Sequence, residues 1–413
     1  MSESTARAGF ASQMNIWRSL KGLPRGVWVL SGATLINRVG TMVLPFLVLY
    51  LTDELGFTAP RAGLALGVYG AGAMIAAPLS GRLSDRIGPM PVMRISLILS
   101  GILLFLFPLA RSFEAVLAVT LAWAIATELF RPANLAIIAD IVPVEQLKPA
   151  YALSRLSINL GMSIGPAAAG FIAAKSYMWI FIVDGATTLA AAIVLIVTPF
   201  HLPHRPVQRE GAASGSILNT LVLDDRRMVL FLAALFLTGI VFFQIEGPLP
   251  LFLVQDLKLS PAFYGGLFTL NTIMIVFMEV PLNAATAHWP HRHGLAIGAF
   301  LFAAGSGAFG FASGPLMVVI GMIVWTFGEM MLFPQASAYV AEIAPASRRG
   351  EYMGAYSLAF SLAFAFAPWA GTSGYDTYGA RALWIAVFAV GFVSAVMMAR
   401  VTTKEAGDAP ISA

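Results

Sequence analysis

The chain alternates between long runs of apolar residues and short polar segments. A helix needs about 20 predominantly apolar residues to cross the hydrocarbon core of a bilayer. Twelve runs of that length occur, which predicts an all-α membrane protein with twelve transmembrane helices. The predicted spans are Val27–Leu51, Ala62–Ser80, Val92–Ala110, Val116–Ile138, Tyr151–Ala174, Met178–Phe200, Met228–Val254, Phe263–Leu282, Leu295–Ser313, Leu316–Ala338, Tyr352–Gly374 and Ala382–Val401.

The longest polar connection lies between the sixth and seventh spans and divides the chain into two halves. It contains His, Pro, Arg, Gly and Ser, a composition that indicates a flexible linker. The predicted organisation is a cytoplasmic N-terminal segment at 1–26, a six-helix half at 27–200, a cytoplasmic linker at 201–227, a second six-helix half at 228–401 and a cytoplasmic tail at 402–413.

The two halves are related in sequence by one shift of 202 residues without gaps. Under that shift Pro132–Pro143 lies over Pro334–Pro345 with both prolines matched, and Pro166 lies over Pro368. A repeat of six spans, an even number, keeps the same orientation in the membrane, so the repeats are parallel. Parallel repeats are a transporter architecture in which the substrate site lies near the bilayer midplane between the halves.

The distribution of basic residues predicts the orientation. With both termini in the cytoplasm, 18 of the 25 Lys and Arg residues fall at cytoplasmic segments and span ends, and five fall in the opposite loops. Such an excess marks the cytoplasmic side. No apolar stretch with a cleavage site precedes the first span, so no cleaved signal peptide is expected. The expected location is the plasma membrane, specifically the inner membrane of a bacterium.

Composition removes several function classes. Apolar residues make up 58% of the chain and charged residues 11%, whereas a soluble domain carries roughly 25% charged residues. The absence of Cys excludes disulfides, thiolate metal sites and cysteine nucleophiles. The net charge of +4 comes from short loops between apolar spans, so no nucleic-acid partner is expected. His288, His291 and His293 are interpreted as a basic loop with Arg292, and no metal site is predicted.

The segment Gly81–Gly88 reads Gly-Arg-Leu-Ser-Asp-Arg-Ile-Gly and follows the second span. It resembles the signature of the major facilitator superfamily at this place, and the likeness covers nearly the whole chain. By this resemblance the segment is a tight cytoplasmic turn that latches the cytoplasmic side shut, with Asp85 at the positive N-terminal end of the eleventh helix near Gly350. The latch residues carried over from the family are Gly81, Asp85, Arg86 and Gly88.

A second motif lies in the fifth span. It reads Gly-Met-Ser-Ile-Gly-Pro-Ala-Ala-Ala-Gly and places its marked residues at Gly161, Gly165, Pro166 and Gly170. It resembles the Gly-Pro motif of drug–proton antiporters in the superfamily, which implies efflux. Gly161 and Gly165 share one helix face, so another helix can approach closely. Simple helix packing without consequence for transport direction is the alternative.

Five ionisable residues fall in the first, fourth, seventh and tenth spans, which by the resemblance line the central cavity. They are Arg38, Glu128, Arg131, Glu246 and Glu329. Ionisable residues inside spans are costly and mark function by default. We expect a buried glutamate to load a proton on one side and release it on the other, and Glu128 to pair with Arg131 three residues later. Asp184 and Glu279 are expected away from the cavity, in structural roles.

The predicted function is secondary active transport, as proton-coupled efflux of amphiphilic or cationic small molecules by alternating access. The alternative is an importer or exporter of a specific metabolite, sugar, lipid or peptide, since a fold does not fix a substrate. No phosphate-binding loop is present, and no clustered His and acidic ligands suggest an enzyme. The expected partners are the lipid bilayer and a small-molecule substrate, with no cofactor beyond the coupling proton and a monomer as the working unit.

Overall fold

The computed structural model describes residues 22–143, 146–200, 224–345 and 348–402. The predicted terminal segments and the predicted linker therefore lie mostly outside the described residues. Within the described ranges the regular structure is helical throughout, as predicted. The helices are α1 Arg25–Glu54, α2 Ala59–Ile87, α3 Pro89–Leu109, α4 Phe113–Ile141, α5 Leu147–Ala173, α6 Met178–Val197, α7 Arg226–Asp256, α8 Pro261–Thr286, α9 His291–Phe309 and α10 Pro315–Ile343, followed by α11 at 349–378 and α12 at 380–399.

Two features of the described helices bring the number of crossings to twelve. Ten helical segments of the described residues are long and apolar enough to cross a membrane, and the longest of them, Arg349–Ala399, has 51 residues. Gly379 interrupts it with φ 78° and ψ 168°, a conformation open to glycine, and separates α11 from α12. The more polar α9 has 19 residues and packs against α10 and α12. The predicted twelve-helix fold is confirmed.

The helices extend further than the apolar runs that predicted them. One such extension is at α9, which begins at His291, so the interpretation of His291 and His293 as loop residues is wrong. His291 is anchored to α10, with Nδ1 2.7 Å from Gln335 Oε1 and Nε2 2.8 Å from Glu342 Oε2. These contacts and the backbone hydrogen bonds keep the polar first turn helical beyond the apolar run.

The sequence repeat recurs in the backbone with the same offset of 202 residues. Each half ends its first helix in a five-residue π-helical turn, at Tyr50–Glu54 and at Phe252–Asp256. A left-handed residue follows at matching positions, Gly56 with φ 68° and Lys258 with φ 55°. A non-glycine residue in this region costs about 1–3 kcal/mol. The parallel repeat therefore extends to details of backbone geometry.

The halves meet through two helix pairs, α2 with α11 and α5 with α8. We call the end of the bundle that holds Gly56 and Lys258 the Gly56 end, and the opposite end, where α2 stops at Gly88, the Gly88 end. A Cβ on Gly265 of α8 would stand 3.0 Å from the carbonyl carbon of Pro166 in α5. Such backbone contact lies in the half of the bundle towards the Gly56 end, so the two halves are closed there.

Candidate substrate and proton site

The first helix of each half is interrupted near its own middle. In α1 the helical segments Arg25–Val39 and Val43–Leu49 are separated by a short break, and Asp184 of α6 binds its free N–H groups. Asp184 Oδ2 accepts hydrogen bonds from the backbone N–H of Met42 and of Val43, each at 3.1 Å. Asp184 is therefore an N-terminal cap for the second segment.

The break in α7 carries one of the predicted glutamates. A 3-10 turn at Phe243–Ile245 is followed by Glu246, and the helix resumes at Pro248. Gln244 fixes the turn, because its Nε2 donates to the carbonyl oxygens of Ile240 at 2.8 Å and of Ala367 at 3.3 Å. Broken helices place substrate and ion sites at the midplane of many transporters.

Four residues from four helices form what we call the midplane cluster: Arg38, Tyr69, Glu128 and Glu246. The Tyr69 hydroxyl donates to Glu128 Oε1 at 3.0 Å. Glu128 and Glu246 are close enough to interact electrostatically, and Tyr69 lies within the same range of Arg38. Among the described residues, Arg38 Nε and Glu246 Oε2 are buried without a hydrogen-bond partner. The cluster therefore holds polar atoms that a ligand, water or proton can satisfy.

The predicted pairing of Glu128 with Arg131 is wrong. Arg131 is exposed, and no ion pair joins it to Glu128 among the described contacts. Leu129, between the two residues, keeps helical backbone angles of φ −61° and ψ −28°, but the regular hydrogen bonding of α4 changes there. Pro132 has no N–H to donate to the carbonyl of Glu128, which weakens the helix at this point.

Glu329 belongs to a second polar group in the other half. Its Oε2 accepts a hydrogen bond of 2.7 Å from Asn271 Nδ2 in α8, and the same amide reaches Thr326 Oγ1 at 3.1 Å. Asn271 therefore fixes one glutamate oxygen from the neighbouring helix.

A cavity of about 740 Å³ opens beside Glu329, in the half of the bundle towards the Gly88 end. Helices α5, α8, α10 and α11 contribute its lining. The lining residues are Arg155, Asn159, Ile275, Glu279, Val280, Asn283, Ala284, Glu329, Met330, Phe333, Pro334, Ser337 and Tyr356. Of the four helices predicted to line a central cavity, only α10 contributes to this one. The inner faces of α5 and α8 can line the cavity because the two halves touch at the Gly56 end and diverge towards the Gly88 end.

Two charged residues of this cavity correct the sequence analysis. Glu279, expected away from the cavity, lies in its wall, and Arg155, not singled out, faces it from the other half. Arg155 Nη2 lies 2.7 Å from Glu279 Oε1. The sequence signal was present, since both residues fall inside helices long enough to span the membrane. Which sides of α5 and α8 meet is a property of the tertiary packing.

The glycine motif of α5 lies against two different helices. Gly161 and Gly165 face the end of the first segment of α1, where a Cβ on Gly161 would stand 2.8 Å from the carbonyl carbon of Arg38. Gly170 faces the start of α8, where a Cβ would stand 2.6 Å from Ala262 Cα. The motif therefore packs α5 onto both its own half and the other half.

The predicted tight turn at residues 81–88 is mostly helix. Helix α2 continues through the segment, and only Gly88 leaves it, with φ 86° and ψ 156°. A Cβ on Gly81 would have no atom within 4 Å, so this glycine permits no close approach. Asp85 and Arg86 are exposed in the last turns of α2. The segment is helical although it is polar, because backbone hydrogen bonds do not depend on apolar side chains. The role of these residues as a latch stays a prediction.

Comparison with known sequences settles the family. The sequence model of the Major Facilitator Superfamily matches residues 30–266 and 247–412, which together cover most of the chain. The chain belongs to this superfamily. It is accordingly a membrane transporter of small molecules and not an enzyme, as predicted.

Relatives of this superfamily member include two bacterial proteins with named activities. A Na(+), Li(+), K(+)/H(+) antiporter of Planococcus maritimus is 25% identical over 82% of the chain and 87% of its own length. The quinolone resistance protein NorA of Staphylococcus aureus is 26% identical over 73% of the chain and 78% of its own length. A crystal structure of the nucleoside transporter NupG aligns with a TM-score of 0.75 at 15% identity, over 91% of this chain and 98% of that one. The last similarity shows the shared fold.

Proposed function

We propose that this protein is a proton-coupled antiporter that exports amphiphilic, cationic small molecules across a bacterial plasma membrane. The observation that carries the proposal is the placement of Glu128, Glu246 and Glu329 at mid-membrane positions, beside a broken helix or a cavity. Acidic side chains at such depth mark ion and substrate pathways. An exporter driven by protons needs at least one such acid.

The midplane cluster supplies a mechanism for the proton. Glu128 and Glu246 come from different halves and lie close enough for their charges to interact, so the cluster places two acids on one path through the protein. Arg38 of α1 lies near Tyr69 of the same cluster and provides an internal cation that favours release when the helices shift. Because α7 belongs to one half and α1, α2 and α4 to the other, rocking of the halves changes the separation of these charges.

The direction of transport is argued from the orientation and the relatives. The excess of Lys and Arg favours a cytoplasmic location for the Gly88 end, and in this proposal the cavity of about 740 Å³ therefore opens towards the cytoplasm. A substrate binds there, the halves rock, and it leaves at the Gly56 end. One relative is named for drug resistance and another for exchange of cations against protons, and both names favour export.

The coupling residues are tested by replacing Glu128, Glu246 and Glu329 singly by Gln in proteoliposomes with an imposed pH gradient. Gln keeps size and hydrogen bonding and removes the titration. The variant at the carrier position should bind substrate but lose accumulation against a gradient, with at most downhill movement left. If all three variants still pump uphill like the parent protein, none of these residues couples transport to protons.

Direction and substrate class are tested in cells of an efflux-deficient bacterial host. Expression should lower accumulation of at least one cationic amphiphilic dye, and a proton uncoupler should restore it. Greater uptake, or no change over a broad panel, favours the alternative of a carrier for a specific metabolite, sugar, lipid or peptide. The alkali cations Na⁺, Li⁺ and K⁺ belong in the same panel because of the antiporter relative.

A further inference from the structure

The cavity beside Glu329 has more acidic than basic side chains in its lining. The acids are Glu279 and Glu329, and the base is Arg155. Its other walls are largely apolar, and its volume of about 740 Å³ lies within the range of about 300–1,000 Å³ of small-molecule sites. These properties suit a drug-sized molecule with a cationic group and an apolar body.

The two acids of the cavity are held in different ways. Glu329 is fixed by a neutral donor, the amide of Asn271 at 2.7 Å, which also contacts Thr326 within the same half. Glu279 is held by a cation, the guanidinium of Arg155 in the other half, at 2.7 Å. Glu279 is therefore the acid whose partner a cationic substrate can replace.

The ion pair is also asymmetric in its burial. The Glu279 side chain is 15% exposed, whereas the Arg155 side chain is 66% exposed and reaches the acid only with its tip. An ion pair with an exposed partner contributes little to stability, because water screens the attraction and the long side chain loses conformational freedom. Arg155 can leave Glu279 at little cost, and it can return when the cavity empties.

We propose that Glu279 is the counter-charge for a monovalent amphiphilic cation, and that Arg155 is a tethered cation that occupies Glu279 until the substrate displaces it. The inference rests on the proposed export function and names the binding residue within it. Met330, Phe333 and Tyr356 provide the wall against which the apolar part of the substrate packs. Binding then removes a link between α5 and α8, and so between the two halves, before they rock.

The test uses the full-length protein in lipid nanodiscs, with no gradient and empty nanodiscs as background. The probe is tetraphenylphosphonium, with uncharged triphenylphosphine oxide as its neutral comparison. Because Arg155 competes with the probe, Arg155→Gln should bind the cation more tightly, by about threefold to tenfold. Glu279→Gln should bind it at least about tenfold more weakly. The two substitutions should thus change the affinity for the cation in opposite directions, and neither should change the affinity for the neutral compound.

Three further variants make the result specific. Glu279→Asp keeps the charge and should stay close to the parent affinity, and Arg155→Lys should restore the competition. The double variant with Arg155→Gln and Glu279→Gln should behave like Glu279→Gln alone. As a control, Lys175→Gln removes an exposed cation just beyond the other end of α5 and should leave binding unchanged.

The proposal is overturned by any of three results. Equal losses of affinity in Arg155→Gln and Glu279→Gln, with lower Tm in both, would make the pair a structural brace. Weaker binding of the cation in Arg155→Gln alone would show that Arg155 supports the site and does not compete with the substrate for Glu279. Failure of the parent protein to bind the probe would exclude lipophilic monovalent cations from this cavity. Proton coupling is read separately, from the glutamine variants under a pH gradient, so the two proposals can fail independently.

Discussion

Tyr69 connects the two halves of the protein at the level of the buried glutamates. Its hydroxyl donates to Glu128 Oε1 at 3.0 Å, and its ring lies 5.9 Å from the ring of Phe364 in α11. The side chain therefore touches a candidate proton carrier in one half and an aromatic residue in the other. Sequence reasoning did not select it, because a tyrosine in an apolar helix gives no signal that distinguishes a hydrogen-bond donor from a core residue.

Replacing Tyr69 by Phe tests this contact. The ring and its packing stay, but Glu128 loses its donor, and a hydrogen bond to a charged group is worth about 1.5–3 kcal/mol. Transport driven by a pH gradient should fall by about tenfold or more in proteoliposomes. The thermal midpoint of the purified protein should change little.

The matched control is Tyr177→Phe, since Tyr177 makes the same kind of bond, to Asp53 Oδ2 at 3.0 Å, at the Gly56 end. Its loss should leave the coupling to protons intact. Equal effects of the two substitutions on transport would show that the Tyr69 hydroxyl has no special part in coupling.

At the scale of the elements, glycines decide how closely the halves approach. In α2, a Cβ on Gly70 would stand 2.7 Å from the backbone nitrogen of Ala365 in α11. In α8, a Cβ on Gly265 would stand 3.1 Å from Ala167 Cα in α5. Small residues at membrane helix interfaces allow such backbone approach. The interface is thus built from pairs of helices that need glycine at defined positions.

The neighbouring glycines 265 and 266 provide a direct test. Gly265→Ala places a methyl group against the backbone of α5 and should separate α5 from α8, lowering the thermal midpoint and transport together. Gly266 is exposed, with no atom within 4 Å of a Cβ, so Gly266→Ala should be neutral or stabilise by about 1 kcal/mol through helix propensity. Thermal unfolding in detergent, with transport in vesicles, measures both. Equal stability of the two variants would contradict the close packing described here.

The elements differ in how far the sequence predicts them. Span positions follow from the lengths of the apolar runs, and the repeat follows from the matched Pro166 and Pro368, so both could be predicted. The breaks in α1 and α7 could not, because they depend on partners distant in sequence. Asp184, which belongs to α6, accepts a hydrogen bond at the first break. At the second break the carbonyl oxygen of Ala367 accepts a hydrogen bond from Gln244. The buried acids could be identified because a charged side chain in lipid is unfavourable in free energy. The pairing of Arg155 with Glu279 could be identified only from the tertiary structure.

At the scale of the whole molecule, the structure represents one state of a two-state cycle. The halves are joined at the Gly56 end, where Gln255 Nε2 donates to Asp53 Oδ1 at 3.4 Å, and the cavity occupies the half towards the Gly88 end. Alternating access requires a second state with the opposite arrangement. Asp85 in the last turn of α2 is the predicted latch of that state.

The natural chain contains no cysteine, so an introduced pair provides the only thiols. With Asp53→Cys and Gln255→Cys in one chain, a short reducible crosslinker should hold the Gly56 end closed. Transport should then stop, whereas ligand binding in the cavity should persist, and reduction should restore transport. The single-cysteine variants, treated identically, should keep transporting. Full transport by the crosslinked protein would show that the Gly56 end need not open.

The contact between Asp53 and Gln255 also bears on the history of the chain. The two residues are 202 positions apart and occupy the same place in the two repeats, so they meet where the twofold pseudosymmetry axis leaves the protein. In an ancestor made of two identical halves, this place would have held one residue type facing itself. Two aspartates would have repelled each other there. Two glutamines could have paired there through their side-chain amides, but a contact between Asp and Gln requires different residues in the two copies, so the present closing contact is a product of their divergence.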